Sequence, residues 1–320
     1  MGKGRSLRIF QQNTGLIPVP HRGWMPRKAV VRRLIEHLRQ EDWDVVGLTE
    51  VFRHSERDMI VEALADRLPH VVYGPEATNF PPRFSGGGLL LSRYPLSEHR
   101  SYVCRNSTGV DALCNKGLIM ARIHPEHLPG PICIALSHTQ NPDANGLESN
   151  RDVTRKQLEE LGNFLASELD PAECVLLMGD LNTDAYERTK TMPPQTKGTY
   201  VHLRMQFPGF QDLWRTRGDS KSAGITFDDH STFRTGVPLS FEADERDRRG
   251  QRLDYFLARR ARAWKPLWSK VKVRILGFDK DLEISDHYGL EIAILGHEDA
   301  EKQTGKSRPE DSDSQAERIG

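Results

Sequence analysis

The stretch Val175–Asp184, VLLMGDLNTD, decides how this chain is read. A short apolar run closed by a turn signal is a buried strand, and the polar end of such a strand is where open α/β sheets place ligands. Asp180 and Asn182 therefore stand at the mouth of a prospective site. A purely structural explanation competes with this one. Asp180 can cap a turn and Asn182 can take left-handed backbone, as happens wherever Gly, Asp and Asn cluster. Only partners elsewhere in the chain decide between the two.

Working outward, other strand-like segments end in the same way. LRIFQQN ends at Asn13, WDVVGLTE at Glu50, and ICIALSHTQ carries His138, while SDH places Asp286 and His287 just ahead of YGLEIAIL. The segments GGLLLSRYP, KGLIMARIH and ICIALSHTQ follow one another without a helical pattern, which predicts antiparallel neighbours in one sheet; HVVYG precedes them. Between Pro26 and Gln40, Val30, Val31, Leu34, Ile35 and Leu38 form the apolar stripe of an amphipathic helix. Ser55 with Asp58 predicts a capped helix running to Leu68, its inner face carrying Met59, Ile60, Ala63 and Leu64. Ser149 with Asp152 predicts another, carrying Leu158, Leu161 and Leu165. Residues 183–250 read as a long loop region with one short helix around FQDLWRTR, before the strands QRLDYFLARR, KVKVRIL and YGLEIAIL.

Composition narrows the function classes. With 45 basic and 45 acidic residues among 320, no global positive field marks a nucleic-acid binder. The longest apolar runs, such as GLLL and ICIAL, fall far short of the roughly 18 residues that suggest a membrane helix. MGKGRS lacks the apolar core of a signal peptide, so a cytoplasmic location is expected; its fit to a myristoylation pattern is discounted because a strand begins at Leu7. Cys104, Cys114, Cys133 and Cys174 lack metal-type spacing and read as reduced thiols, with a Cys104–Cys114 pair conceivable only in an oxidising compartment. Residues 297–320 contain no aromatic residue and read as a disordered polar tail. Without them, residues 1–296 hold 41 basic against 38 acidic side chains and form one expected domain, without internal repeat or linker.

Asn13, Glu50, His138, Asp180 with Asn182, and Asp286 with His287 thus stand at the ends of five separate strands, Asp286 and His287 just ahead of theirs. Each alone has a structural explanation, but convergence of all five is what a site requires. Mg²⁺ takes oxygen ligands from one or two carboxylates, water and substrate phosphate, a role that suits Glu50, Asn13 and Asp286. Phosphoester hydrolysis also needs a base for water and donors around phosphorus, which Asp180, Asn182, His138 and His287 provide. RLDY supplies Asp254 as an orienter of an imidazole.

The ordered set QQNTG, LTEVF, SHTQ, GDLNTD, QRLDYF and SDHYG resembles the endonuclease/exonuclease/phosphatase superfamily, over residues 7–295. The resemblance implies an α/β four-layer sandwich of two mixed sheets, with a Mg²⁺-dependent phosphodiesterase site at one end; Mn²⁺ is expected to substitute. It implies that Glu50 holds metal with Asn13 and Asp286 nearby and that Asp180 orients or deprotonates water. Asn182 would bind phosphate, and His138 and His287 would stabilise the transition state, His287 being steadied by Asp254. SGGGLLLSRYP followed by DALCNKGLIMARI is similar to the neutral sphingomyelinases, which implies that Lys116 reaches the headgroup or phosphate; an ordinary solvated loop lysine is the alternative. STFRTGVPLSFEADERDRRGQRLDYF resembles the variable loop before the RLDY strand in those enzymes, but no long apolar hairpin is present.

The substrate expected on this basis is a lipid phosphodiester with a phosphocholine-type headgroup. A nuclease of the same fold is the alternative, kept open by arginines in RMQFPGFQDLWRTR and ERDRRGQRLDYFLARRAR, and a binding module with a degenerate site comes last. Peripheral membrane contact would fall to Trp264 and Trp268, although two tryptophans more often pack in a core. A monomer is expected.

Overall fold

The computed structural model describes residues 5–17, 26–79, 82–142, 148–186, 199–228, 231–235, 250–262, 264–278 and 282–296. The tail from residue 297 and residue Gly2 of the myristoylation pattern lie outside these residues. In chain order the strands are β1 (Leu7–Asn13), β2 (Val45–Thr49), β3 (His70–Gly74), β4 (Thr78–Asn79), β5 (Pro82–Arg83), β6 (Gly88–Ser92) and β7 (Ser97–Val103). They continue with β8 (Gly117–Ile123), β9 (Ile132–His138), β10 (Cys174–Asp180), β11 (Gln211–Asp212), β12 (Asp254–Arg259), β13 (Lys272–Arg274) and β14 (Gly289–Ile294). The helices are α1 (Arg27–Gln40), α2 (His54–Leu64), α3 (Glu148–Glu168), α4 (Thr199–Gln206), α5 (Leu213–Arg217) and α6 (Thr232–Thr235).

Two six-stranded sheets, ordered β13-β14-β1-β2-β6-β3 and β11-β12-β10-β9-β8-β7, mix parallel and antiparallel pairs. Alternation of side chains along each strand sends one set of apolar residues between the sheets and the other set outward. Ile9, Val45 and Leu90 of the first sheet meet Ile134, Leu176 and Phe256 of the second in a shared core. Outward residues Val46, Leu48 and Leu91 pack under Val31 and Leu34 of α1 and Ile60 of α2. On the other side Cys133, Val175 and Leu257 pack under Leu158, Leu161 and Leu165 of α3 and Leu203 of α4. Helices, sheet, sheet and helices make the four-layer α/β sandwich that the motif set implies, and no described helix is long and apolar enough to cross a membrane.

Several local expectations change. The strand at Gly88–Ser92 does not neighbour β8; it lies between β2 and β3 in the opposite sheet, and β7 intervenes along the chain. The sequence hid β7 because SEHRSYV is an edge strand with most side chains in water, so it has no apolar run. Helix α2 begins at His54 with Ser55 inside it, takes no side-chain cap and stops at Leu64. Its first turn is instead clamped by Glu56, buried and paired with Arg27 of α1 at 2.5 and 2.7 Å. Helix α3 likewise begins one residue before Ser149. In the long loop region α4 and α6 join the expected helix at Leu213–Arg217, whose N-cap is Asp212, accepting from the Trp214 backbone N–H. Trp268 is in the inter-sheet core with Trp264 packed beside it, so this pair is core packing. All four cysteines are free and buried.

Candidate active site

Strand register brings the polar residues to one end of the sandwich. Asn13 pairs with Thr49, placing Glu50 one residue beyond the end of β2 beside the end of β1. Across the second sheet Asp180 pairs with His138 on the parallel strand β9 and with Asp254 on the antiparallel strand β12. His138 in turn pairs with Gly117, so Lys116 enters at the same edge. Strand β14 runs antiparallel to β1, with Leu290 opposite Gln11, which brings the preceding Asp286 and His287 back to the Asn13 end. The glycine of MGD is needed at this approach: Gly179 has φ +124, and a Cβ there would lie 2.1 Å from the Ser137 carbonyl oxygen.

The opening stretch closes a turn and also meets the polar ends of other strands. The Asn182 backbone N–H donates to Asp180 Oδ1 at 2.9 Å, closing a turn, and Asn182 has φ 45. Yet Asp180 Oδ2 also accepts from Asn13 Nδ2 at 3.0 Å and faces His287 Nε2 at 3.7 Å and His138 Nε2 at 3.6 Å. Burial pushes the Asp180 carboxyl up to about 7, against the pull of His287. A carboxylate so poised exchanges a proton near neutral pH. The Asn182 amide nitrogen donates to the Thr139 carbonyl at 2.9 Å and to Asp180 Oδ2 at 3.2 Å.

His287 Nδ1 donates to Asp254 Oδ2 at 2.8 Å, which leaves Nε2 facing Asp180. Burial opposes charge on this ring, but Asp254 and Asp180 overcome it and raise His287 to about 10. His138 behaves oppositely: burial, then the neighbouring Lys116, hold it well below the ordinary imidazole value. Lys116 Nζ lies 2.6 Å from His138 Nε2 and 3.6 Å from Asp111, and its side chain is only 4% exposed, so it is not a solvated loop lysine. Burial disfavours its charge, yet Asp111 and Glu50 raise its pKa. One imidazolium and one neutral imidazole therefore flank Asp180.

Glu50 has φ 64, a left-handed conformation that costs a residue other than glycine about 1–3 kcal/mol. Its carboxyl is raised first by burial and also by Asp286, against Lys116, His287 and Asn13. Among the described residues Glu50 makes no ion pair with Lys or Arg; the near contact is His138 Nε2 at 3.6 Å. Asn13 Oδ1 accepts from the Gly15 backbone N–H at 3.0 Å and keeps a second lone pair. These hard oxygens fit Mg²⁺, which needs only one or two carboxylates. Among the described residues no group of three or more His, Cys, Asp or Glu is placed to hold a metal ion, so a cation here would draw its remaining ligands from water and substrate.

Sequence reasoning missed two neighbours. Arg234 Nε donates to Asp286 Oδ2 at 2.7 Å, and Phe227 packs its ring on His287 with centroids 4.9 Å apart. Phe227 stands in an irregular segment and Arg234 in helix α6, whose four residues are too few to show a period; in the sequence the STFRTG stretch marked only a loop.

With this geometry in view, the endonuclease/exonuclease/phosphatase family pattern matches residues 11–287, and the chain belongs to that family. Over 185 residues it is 26% identical to sphingomyelinase C of Bacillus cereus, a match covering 52% of this chain and 54% of that protein. The chain thus spans about half the length of the curated relatives it matches. Crystal structures of sphingomyelinase C from Streptomyces griseocarneus (TM-score 0.66, 19% identity, 91% of this chain and 100% of that one) and of a Staphylococcus aureus beta toxin variant with bound magnesium ions (TM-score 0.67, 18% identity, 91% and 100%) share the fold.

Proposed function

We propose that this protein is a Mg²⁺-dependent phosphodiesterase of sphingomyelinase type, releasing a phosphocholine-like headgroup from a lipid. The observation that carries the reading is the meeting of Asp180, charged His287 and the desolvated Glu50 at one end of both sheets. Membership of the family and similarity to sphingomyelinase C support it.

Asp180, with its carboxyl near neutral, takes the proton of the attacking water. His287 Nε2 carries a proton toward the phosphoryl or leaving-group oxygen, while Asp254 keeps Nδ1 protonated and the ring aimed. Lys116 adds a buried positive charge beside His138 for the phosphate, and Asn182 adds an amide donor. Glu50 and Asp286, with Asn13 Oδ1, are the residues that would hold Mg²⁺, which would supply polarisation of a phosphoryl oxygen and charge neutralisation.

A substrate panel with and without Mg²⁺ tests this reading. Sphingomyelin or another choline phosphodiester in micelles is expected to be cleaved faster than duplex or single-stranded DNA, with shallow salt dependence, since only one phosphate is engaged. Rapid DNA nicking with a steep salt slope and no phosphocholine release would instead assign the nuclease branch of the family.

A further inference from the structure

Arg234 has no role in the mechanism above, yet it is fixed at the edge of the site. Its helix α6 is docked by neighbours on both sides: Phe233 is buried in the core, and the Thr232 backbone N–H and hydroxyl both donate to Glu283, at 2.8 and 3.1 Å. Glu283 also accepts from the Tyr288 hydroxyl at 3.1 Å. The Asp228 backbone N–H donates to the Asp286 carbonyl at 3.0 Å, tying the approach to α6 to the SDH segment.

The guanidinium is therefore held by its surroundings. Nε donates to Asp286 Oδ2 at 2.7 Å, and the guanidinium carbon lies 5.3 Å from the centroid of Phe227, whose ring packs on His287. Asp286 Oδ1 is 3.1 Å from where a Cβ on Gly15 would stand, so this second oxygen is turned toward the loop after β1, on the Asn13 side. The two terminal nitrogens of Arg234 make no hydrogen bond among the described residues, and the side chain is 30% exposed. An arginine with one nitrogen anchored on a carboxylate and its remaining planar donors unspent has the geometry that receives two oxygens of an anion.

We propose that Arg234 is a phosphate-binding residue of this site, offering its terminal nitrogens to the two non-bridging oxygens of a phosphodiester while Asp286 holds Nε. The proposal rests on the phosphodiesterase reading and adds a group to it that no motif marks. Such a contact strengthens as charge develops on phosphorus, so its loss appears in kcat/KM.

The test is calorimetric binding of inorganic phosphate to the full chain with Mg²⁺, alongside kcat and KM for bis(p-nitrophenyl) phosphate. Arg234→Gln is expected to weaken phosphate binding and to lower kcat/KM by on the order of 10- to 100-fold. Arg234→Lys should fall between, because lysine keeps the charge but loses the planar pair of donors. Mn²⁺ affinity, followed by electron paramagnetic resonance, should be kept or rise, since Arg234→Gln takes a positive charge away from buried Asp286. Unchanged phosphate affinity in Arg234→Gln overturns the proposal. So does a Mn²⁺ affinity that falls in step with kcat/KM, which would make Arg234 a positioning residue for Asp286. Wild-type chain that binds phosphate through Arg234 but hydrolyses no phosphodiester would leave the proposal standing and remove the functional reading instead.

Discussion

Asp254 Oδ2 stands 2.8 Å from His287 Nδ1, and this contact determines which ring nitrogen faces Asp180. Asn in place of Asp254 keeps the volume but removes the charge that favours the imidazolium. Asp254→Asn should therefore lower kcat by about two to four orders of magnitude, with the melting temperature little changed. Steady-state kinetics and a thermal scan check both parts; full turnover would remove Asp254 from the mechanism.

The same cluster makes stability depend on pH. His287 is raised from 6.5 to about 10 on folding, so its contribution is fully present below 6.5 and is lost as pH rises through 10. Asp180, raised from 3.8 to about 7, has the same sign in a lower window, with its contribution lost as pH rises through 7. In urea titrations with chelator present, the stability difference between wild type and His287→Gln should shrink between pH 6.5 and 10. A difference that grows over that window contradicts the assignment.

Metal binding should register without turnover. Glu50 is buried near a second acid, so a divalent cation at this place stabilises the folded chain as RT ln(1 + [L]/Kd), about 2.7 kcal/mol at a hundredfold excess over Kd. Mg²⁺ should raise the melting temperature of the wild type in a concentration-dependent way, and Glu50→Gln should need more Mg²⁺ for the same rise. Equal responses in the two proteins would place the metal elsewhere.

Asn182 combines a backbone role with a side-chain role, and two substitutions separate them. At φ 45 glycine is unstrained, whereas alanine costs about 1 kcal/mol or more. Asn182→Gly and Asn182→Ala should lose turnover alike, while only the alanine variant melts clearly earlier. Retained turnover in the glycine variant would reduce Asn182 to a turn residue.

The strands that carry the site were legible because WDVVGL and VLLMGD, buried on both faces, are continuous or nearly continuous apolar runs, and LRIFQQN begins with mixed apolar and polar residues before its polar end. Their polar ends converge because register and strand direction place them together, which the motif order resembled but periodicity alone did not contain. Edge strand β7 escaped notice because water covers most of its side chains. Lys116 was ambiguous because burial of a loop lysine depends on the ring of His138, 22 residues away, and on Asp111. Arg234 was invisible for a related reason: its partner Asp286 lies 52 residues further along the chain, and neither position obeys a local period.

The central claim is that this cluster hydrolyses a phosphodiester with the help of a divalent cation. Phosphorus NMR of sphingomyelin micelles incubated with the protein tests it most directly. Phosphocholine should appear with Mg²⁺, fail to appear with excess chelator, and fall by orders of magnitude with Asp180→Asn. Phosphocholine release that persists undiminished in chelator, or in the Asp180→Asn protein, would contradict it.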